Sequence, residues 1–97
     1  MSEVGKEIVW AVKELLRQNI LFAKGGNLSA RLERDKIIIT SSGKDYSTLK
    51  AEDLIMVDYE GKVVRGEKRP SSELPMHLAI YRARADVNAI IHTHAIW

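Results

Sequence analysis

The sequence predicts an α+β layer structure, with helices packed on a mainly antiparallel sheet. Three observations predict it. Near the N-terminus the apolar residues Val4, Ile8, Ala11, Val12, Leu15 and Leu16 recur at intervals of three and four, the period of a helix with one buried face. Two pairs of short β-branched segments follow, each pair folded around turn residues. A second helical stripe and one further apolar run then close the order helix, strands, helix, strand.

The first helix is expected from Glu3 to about Ile20, with Ser2 as its N-cap and Lys6, Lys13, Glu14 and Arg17 off the apolar stripe. It stops near Gln18-Asn19. Lys24-Gly25-Gly26-Asn27 reads as a loop, because paired glycines accept positive φ and let backbone N–H groups approach a ligand. Leu28 to Leu32 and Lys36 to Thr40 form a hairpin around Glu33-Arg34-Asp35, the second strand being the run Ile37-Ile38-Ile39-Thr40. Ser41-Ser42-Gly43-Lys44-Asp45 is a second small-residue loop, and Leu49 to Asp53 suits one short helical turn. A second hairpin joins Leu54 to Val57 with Lys62 to Val64 across Tyr59-Glu60-Gly61.

Ser71-Ser72-Glu73 opens the second helix, which runs to about Ala85 with Leu74, Leu78, Tyr81 and Ala85 on one stripe. Pro75 fits a first turn, where a missing N–H loses no intrahelical bond. Ala89-Ile90-Ile91-His92-Thr93-His94 reads as a buried strand.

Composition narrows the class. With 97 residues, 45% apolar and 29% charged, the chain is one soluble globular domain with a thin core and no cysteine to staple it. No apolar run approaches the roughly 20 residues that span a bilayer, and no signal-peptide core is present, so a cytoplasmic location without membrane contact is expected. The net charge of +2 comes from 15 basic and 13 acidic residues interspersed along the chain. Nucleic acid is therefore not an expected partner. The nearest basic cluster, Lys62, Arg65, Lys68 and Arg69, is broken by Glu67 and has no interleaved aromatics to stack on bases.

Four segments carry possible chemistry. On a strand His92 and His94 point the same way, with Cα atoms about 6 to 7 Å apart, close enough for both imidazoles to bind one metal. Alone, the pair reads first as core histidines with hydrogen-bond partners and only second as metal ligands. His77, inside the second helix, reads as an ordinary helix residue. Ser71-Ser72-Glu73 offers two hydroxyls and free N–H groups at a helix start, which suits an anion such as phosphate, although in isolation the segment reads first as a plain N-cap. Gly25-Gly26-Asn27-Leu28-Ser29 and Thr40-Ser41-Ser42-Gly43 are, singly, turns.

Taken in order, Gly26-Asn27-Leu28-Ser29, Ile39-Thr40-Ser41-Ser42-Gly43, Arg69-Pro70-Ser71-Ser72-Glu73 and Asn88-Ala89-Ile90-Ile91-His92-Thr93-His94 resemble the class II aldolase and adducin head family, nearest to L-fuculose-1-phosphate aldolases. The resemblance covers essentially the whole chain. It implies α/β/α layers, of which residues 1–97 are an incomplete N-terminal half. It implies that Gly26, Asn27, Ser42, Gly43, Ser71 and Ser72 hold the substrate phosphate. His92 and His94 would bind zinc, with a third histidine absent from this chain, while Glu73 would occupy the metal in the empty site and serve as catalytic proton acceptor and donor.

The implied reaction is cleavage of a ketose 1-phosphate, such as L-fuculose 1-phosphate, to dihydroxyacetone phosphate and an aldehyde. L-Ribulose-5-phosphate 4-epimerase and methylthioribulose-1-phosphate dehydratase share the fold and metal site, but the epimerases typically carry aspartate at the position of Glu73. A reading of another class is a noncatalytic, adducin-like assembly module or an inactive fragment. Retention of Glu73, His92 and His94 argues against the module. The family's members are longer and usually homotetrameric, so the isolated chain is expected to be truncated, a weak zinc binder with little activity.

Overall fold

The computed structural model describes residues 3–21, 25–33, 35–43 and 45–93; the expectations for Ser2, Lys24, Arg34, Lys44, His94 and residues 95–97 lie outside these residues. Helix α1 spans Glu3–Arg17 and buries Gly5, Ile8 and Val12, with Val4, Ala11, Leu15 and Leu16 packed beside them. Its end is set by Asn19, whose φ of 60° is left-handed, and by the N–H of Ile20 reaching back to Leu15 O at 3.0 Å. Asparagine takes this conformation more readily than most residues, so the helix stops where the sequence indicates.

Five strands follow: β1 (Asn27–Glu33), β2 (Lys36–Ile39), β3 (Ile55–Asp58), β4 (Val63–Arg65) and β5 (Ala89–His92), in sheet order β4-β3-β2-β1-β5. Every pair is antiparallel. Both expected hairpins form, and two 3₁₀ turns, Tyr46–Thr48 and Ala51–Asp53, occupy the connection where one was expected. Asp45 caps the first of these through a 2.9 Å bond from Ser47 N–H, a local Asx arrangement.

Helix α2 spans Leu74–Ala83 rather than 71–85. Glu73 is its N-cap, and Ser71 Oγ accepts the Glu73 N–H at 3.1 Å, so the two serines lie just ahead of the helix instead of within it. At the other end Arg84 is already extended, which leaves Ala85 outside the apolar stripe. The stripe that is buried is Leu74, His77, Leu78 and Tyr81.

The sheet separates two cores because successive side chains alternate faces. Leu28, Ile38 and Leu54 pack with Ile8, Val12 and Leu21 on the α1 side. Ile37, Ile39, Ile55 and Val57 pack with Leu74, Leu78 and Tyr81 on the α2 side. These are the expected helix, sheet and helix layers. Among the described residues no helix is long and apolar enough to cross a membrane.

The expectation of a buried strand at 89–94 is corrected. Strand β5 lies at the edge, pairs only with β1 among the described residues, and leaves Ile91 54% exposed. An apolar run looks buried in sequence, yet burial requires cover on each side, and an edge strand has one neighbour.

Arg31 ties this architecture together. It donates from Nε and Nη2 to Val87 O at 3.0 and 2.8 Å, from Nη2 to Arg84 O at 3.0 Å, and from Nη1 to Tyr59 Oη, with its guanidinium 4.9 Å from the Tyr81 ring centroid. Carbonyls at the C-cap of α2 and in the turn after it lack intrahelical donors, so one side chain supplies them. Arg31→Met keeps the apolar stem and removes the donors. Urea unfolding is expected to show a loss of about 2–3 kcal/mol.

Candidate functional site

Antiparallel pairing brings distant loops to one end of the sheet. Asn27 opens β1 opposite the end of β2, where Thr40 N–H bonds Leu28 O at 3.0 Å. Asn27 also pairs with His92 of β5. Beyond β2, an isolated bridge joins Ser41 to Pro70 through Ser71 N–H to Thr40 O at 3.0 Å and Ser42 N–H to Arg69 O at 2.8 Å. The glycine loop, the second small-residue loop and the start of α2 thereby face one another across a cleft of about 170 Å³.

Gly25, Gly26, Asn27, Ser41, Ser42, Gly43, Tyr46, Ser71, Ser72 and Glu73 line that cleft. Every residue expected around the phosphate is among them, as is Glu73. The volume is below the roughly 300–1,000 Å³ of pockets that enclose a drug-sized ligand, so the cleft suits a head group.

The lining consists largely of hydrogen-bond donors. The N–H groups of Gly43 and Ser72 have no protein acceptor among the described residues. Ser41 is 2% exposed and its Oγ has no hydrogen-bond partner among the described residues, which is costly for a buried hydroxyl unless a ligand or water completes it. Ser71 Oγ is occupied as an acceptor by Glu73 N–H, so its proton is available. Among the described residues no lysine or arginine lines the cleft. Convergent neutral donors near a helix start favour an anion.

Two residues that sequence reasoning passed over shape this site. Tyr46 is buried and donates to Gly26 O at 2.5 Å, holding the glycine loop against the second loop. His77, read as an ordinary helix residue, is fully buried. Its Nε2 meets Asn27 Oδ1, its Nδ1 lies 2.6 Å from Ser29 Oγ, and Ser29 Oγ lies 2.8 Å from Tyr81 Oη. Burial, helped by His92 and opposed by Glu73, brings the His77 pKa from 6.5 down to about 4, so the ring is neutral at pH 7. Nothing in the chain spacing links residues 27, 29, 77 and 81; Ser41 alone had a signal, its place beside Ser42.

The metal expectation stands on fewer residues. His92 is beside Asn27 in the sheet, and both His92 and Glu73 act electrostatically on His77. His94 lies outside the described residues. Imidazole and carboxylate are suitable zinc donors, but among the described residues no group of three His, Cys, Asp or Glu side chains stands ready to hold a metal.

A family model described as class II aldolase and adducin N-terminal domain matches residues 6–97. The chain is 41% identical over 91 residues to a protein named 5-deoxy-D-ribulose 1-phosphate aldolase from Bacillus thuringiensis serovar kurstaki, covering 93% of this chain and 43% of that one. A solved L-fuculose 1-phosphate aldolase superposes with TM-score 0.93 at 41% identity, covering 98% of this chain and 45% of its own. An L-fuculose-1-phosphate aldolase from Thermus thermophilus superposes with TM-score 0.77 at 30% identity, covering 97% and 47%. The chain thus spans less than half the length of each of these relatives.

Proposed function

Because the chain belongs to the class II aldolase and adducin N-terminal domain family, we propose that it supplies the phosphate cleft and the proton-transfer carboxylate for aldol cleavage of a ketose 1-phosphate. The proposed substrate is a ketose 1-phosphate such as L-fuculose 1-phosphate, with dihydroxyacetone phosphate and an aldehyde as products. Residues 1–97 act as the N-terminal half of a longer domain, in a cytoplasmic homotetramer. The reading rests on the donor-lined cleft, in which Asn27, Ser42, Gly43, Ser71 and Ser72 meet beside Glu73.

The chain's own groups divide the work. Phosphate oxygens accept from the Gly43 and Ser72 N–H groups and from the serine hydroxyls, which orients the carbon skeleton toward Glu73. Binding energy from this non-reacting phosphate is available to the reacting centre. Glu73, half-buried at the cleft wall, takes and returns the carbon-bound proton as general base and acid. His92 and His94, with Glu73 in the substrate-free state, would hold zinc, which would supply Lewis-acid stabilisation of charge on the carbonyl and hydroxyl oxygens.

The test is a comparison of substrates with zinc present, in the polypeptide that carries this chain. Cleavage of L-fuculose 1-phosphate, followed by trapping dihydroxyacetone phosphate, is expected to exceed epimerisation of L-ribulose 5-phosphate, and unphosphorylated L-fuculose should react poorly. Glu73→Gln is expected to reduce turnover by about 10²-fold or more with metal content nearly unchanged. Dominant epimerisation would reassign the reaction, and phosphate binding without any turnover would favour the noncatalytic module.

A further inference from the structure

We infer that His77 is a positioning residue that selects which end of the Asn27 amide faces the cleft, turning Asn27 into a hydrogen-bond donor for the bound anion. The inference rests on the phosphate reading above and adds the device that sets the cleft's polarity.

An asparagine amide is nearly symmetric in shape and opposite in chemistry at its two ends: one oxygen accepts, one NH2 donates. In a cleft for phosphate the two orientations have opposite effects. Facing NH2 toward the ligand adds a charge-assisted hydrogen bond, whereas facing the carbonyl sets lone pairs against anionic oxygens. Asn27 is 3% exposed, so bulk water does not make the choice.

The group behind Asn27 makes it. Asn27 Oδ1 is the atom against His77 Nε2, so that nitrogen carries the proton. A neutral imidazole with Nε2–H must accept at Nδ1, and Ser29 Oγ stands there at 2.6 Å as donor. With its proton committed, Ser29 Oγ accepts from Tyr81 Oη at 2.8 Å. The direction runs Tyr81 to Ser29 to His77 to Asn27, and every hydroxyl, ring nitrogen and carbonyl in it has its partner. Only the Asn27 NH2 has no acceptor among the described residues, and Asn27 lines the cleft.

The fold provides the rigidity this requires. Asn27 and Ser29 are alternate residues on the α2-facing side of β1, and His77 and Tyr81 are one turn apart on α2. Tyr81 is itself held under the Arg31 guanidinium. The imidazole is fully buried and held at both ring nitrogens, by Asn27 on one side and Ser29 on the other, so its orientation is fixed. The Asn27 pairing with His92 then fixes the backbone from which the amide projects.

The test combines ring tautomer and anion binding, using inorganic phosphate as the probe. Nitrogen-resolved NMR at neutral pH is expected to show His77 as the Nε2–H tautomer. His77→Gln presents one donor and one acceptor and should hold phosphate affinity within about threefold of wild type. His77→Met fills similar space without either group and should weaken phosphate about tenfold or more while unfolding remains cooperative. Asn27→Asp, which puts acceptors toward the ligand, should abolish binding. An Nδ1–H tautomer, or Met binding phosphate as tightly as Gln, overturns the role of His77 and leaves the cleft reading intact. An Nε2–H tautomer in a wild-type protein indifferent to phosphate overturns the cleft reading, and the positioning role falls with it.

Discussion

Gly26→Ala is expected to destabilise the protein by about 3–5 kcal/mol, a large part of the 5–15 kcal/mol that holds a domain folded. Two independent constraints act at this position. Its φ of +78° is left-handed, where a Cβ costs about 1–2 kcal/mol. An added Cβ would also lie 2.7 Å from Leu21 Cδ1 and 2.8 Å from His92 O. The leucine end can rotate, but the carbonyl belongs to β5, so relief requires β1 and β5 to separate at Asn27. Gly43 supplies the contrast, because its φ is +70° and an added Cβ there has nothing within 4 Å. Gly43→Ala is therefore expected to cost only the conformational share, about 1–2 kcal/mol. Urea unfolding of both variants is the measurement, and equal losses would mean that the approach of the glycine loop to β5 is looser than described.

Acid is expected to remove about 3 kcal/mol of stability between pH 6.5 and pH 4 through His77 alone. The folded protein holds this imidazole neutral down to about pH 4, mainly because burial disfavours the cation, while the unfolded chain protonates it near 6.5. Between those values the unfolded state binds more protons, so stability falls as pH falls and is fully present above 6.5. Glu14 and Asp86 are held below their ordinary 4.5 and 3.8 by hydrogen bonds from Arg17 and Arg84, so their contributions begin to be lost only near the acid end of this window and below it. His77→Gln should flatten the dependence between 6.5 and 4.5. Unfolding midpoints across that range, with and without the substitution, decide it; an unchanged slope in the variant would place the sensitivity elsewhere.

Much of this protein was legible from local pattern. The three-and-four spacing of Val4, Ile8, Ala11, Val12, Leu15 and Leu16 determined α1, and Asn19 marked its end because few residues accept a left-handed φ. The isoleucine run and its turn gave the first hairpin, and four short motifs gave the family resemblance and residues that line one cleft. These are properties of neighbours along the chain, which sequence displays directly.

Only the tertiary structure decided which neighbours meet across it. Sequence placed β5 in the interior because Ala89-Ile90-Ile91 is apolar, whereas sheet order put it at the edge. His77 read as one helix residue among others, since its partners Asn27 and Ser29 are 50 and 48 positions away. Tyr46 carried no motif, yet it closes the loop at Gly26. Local pattern reports which face of an element is apolar; the identity of a buried polar contact depends on how β1 and α2 stack, and burial then makes that contact matter, because inside the protein no water can replace a missing partner.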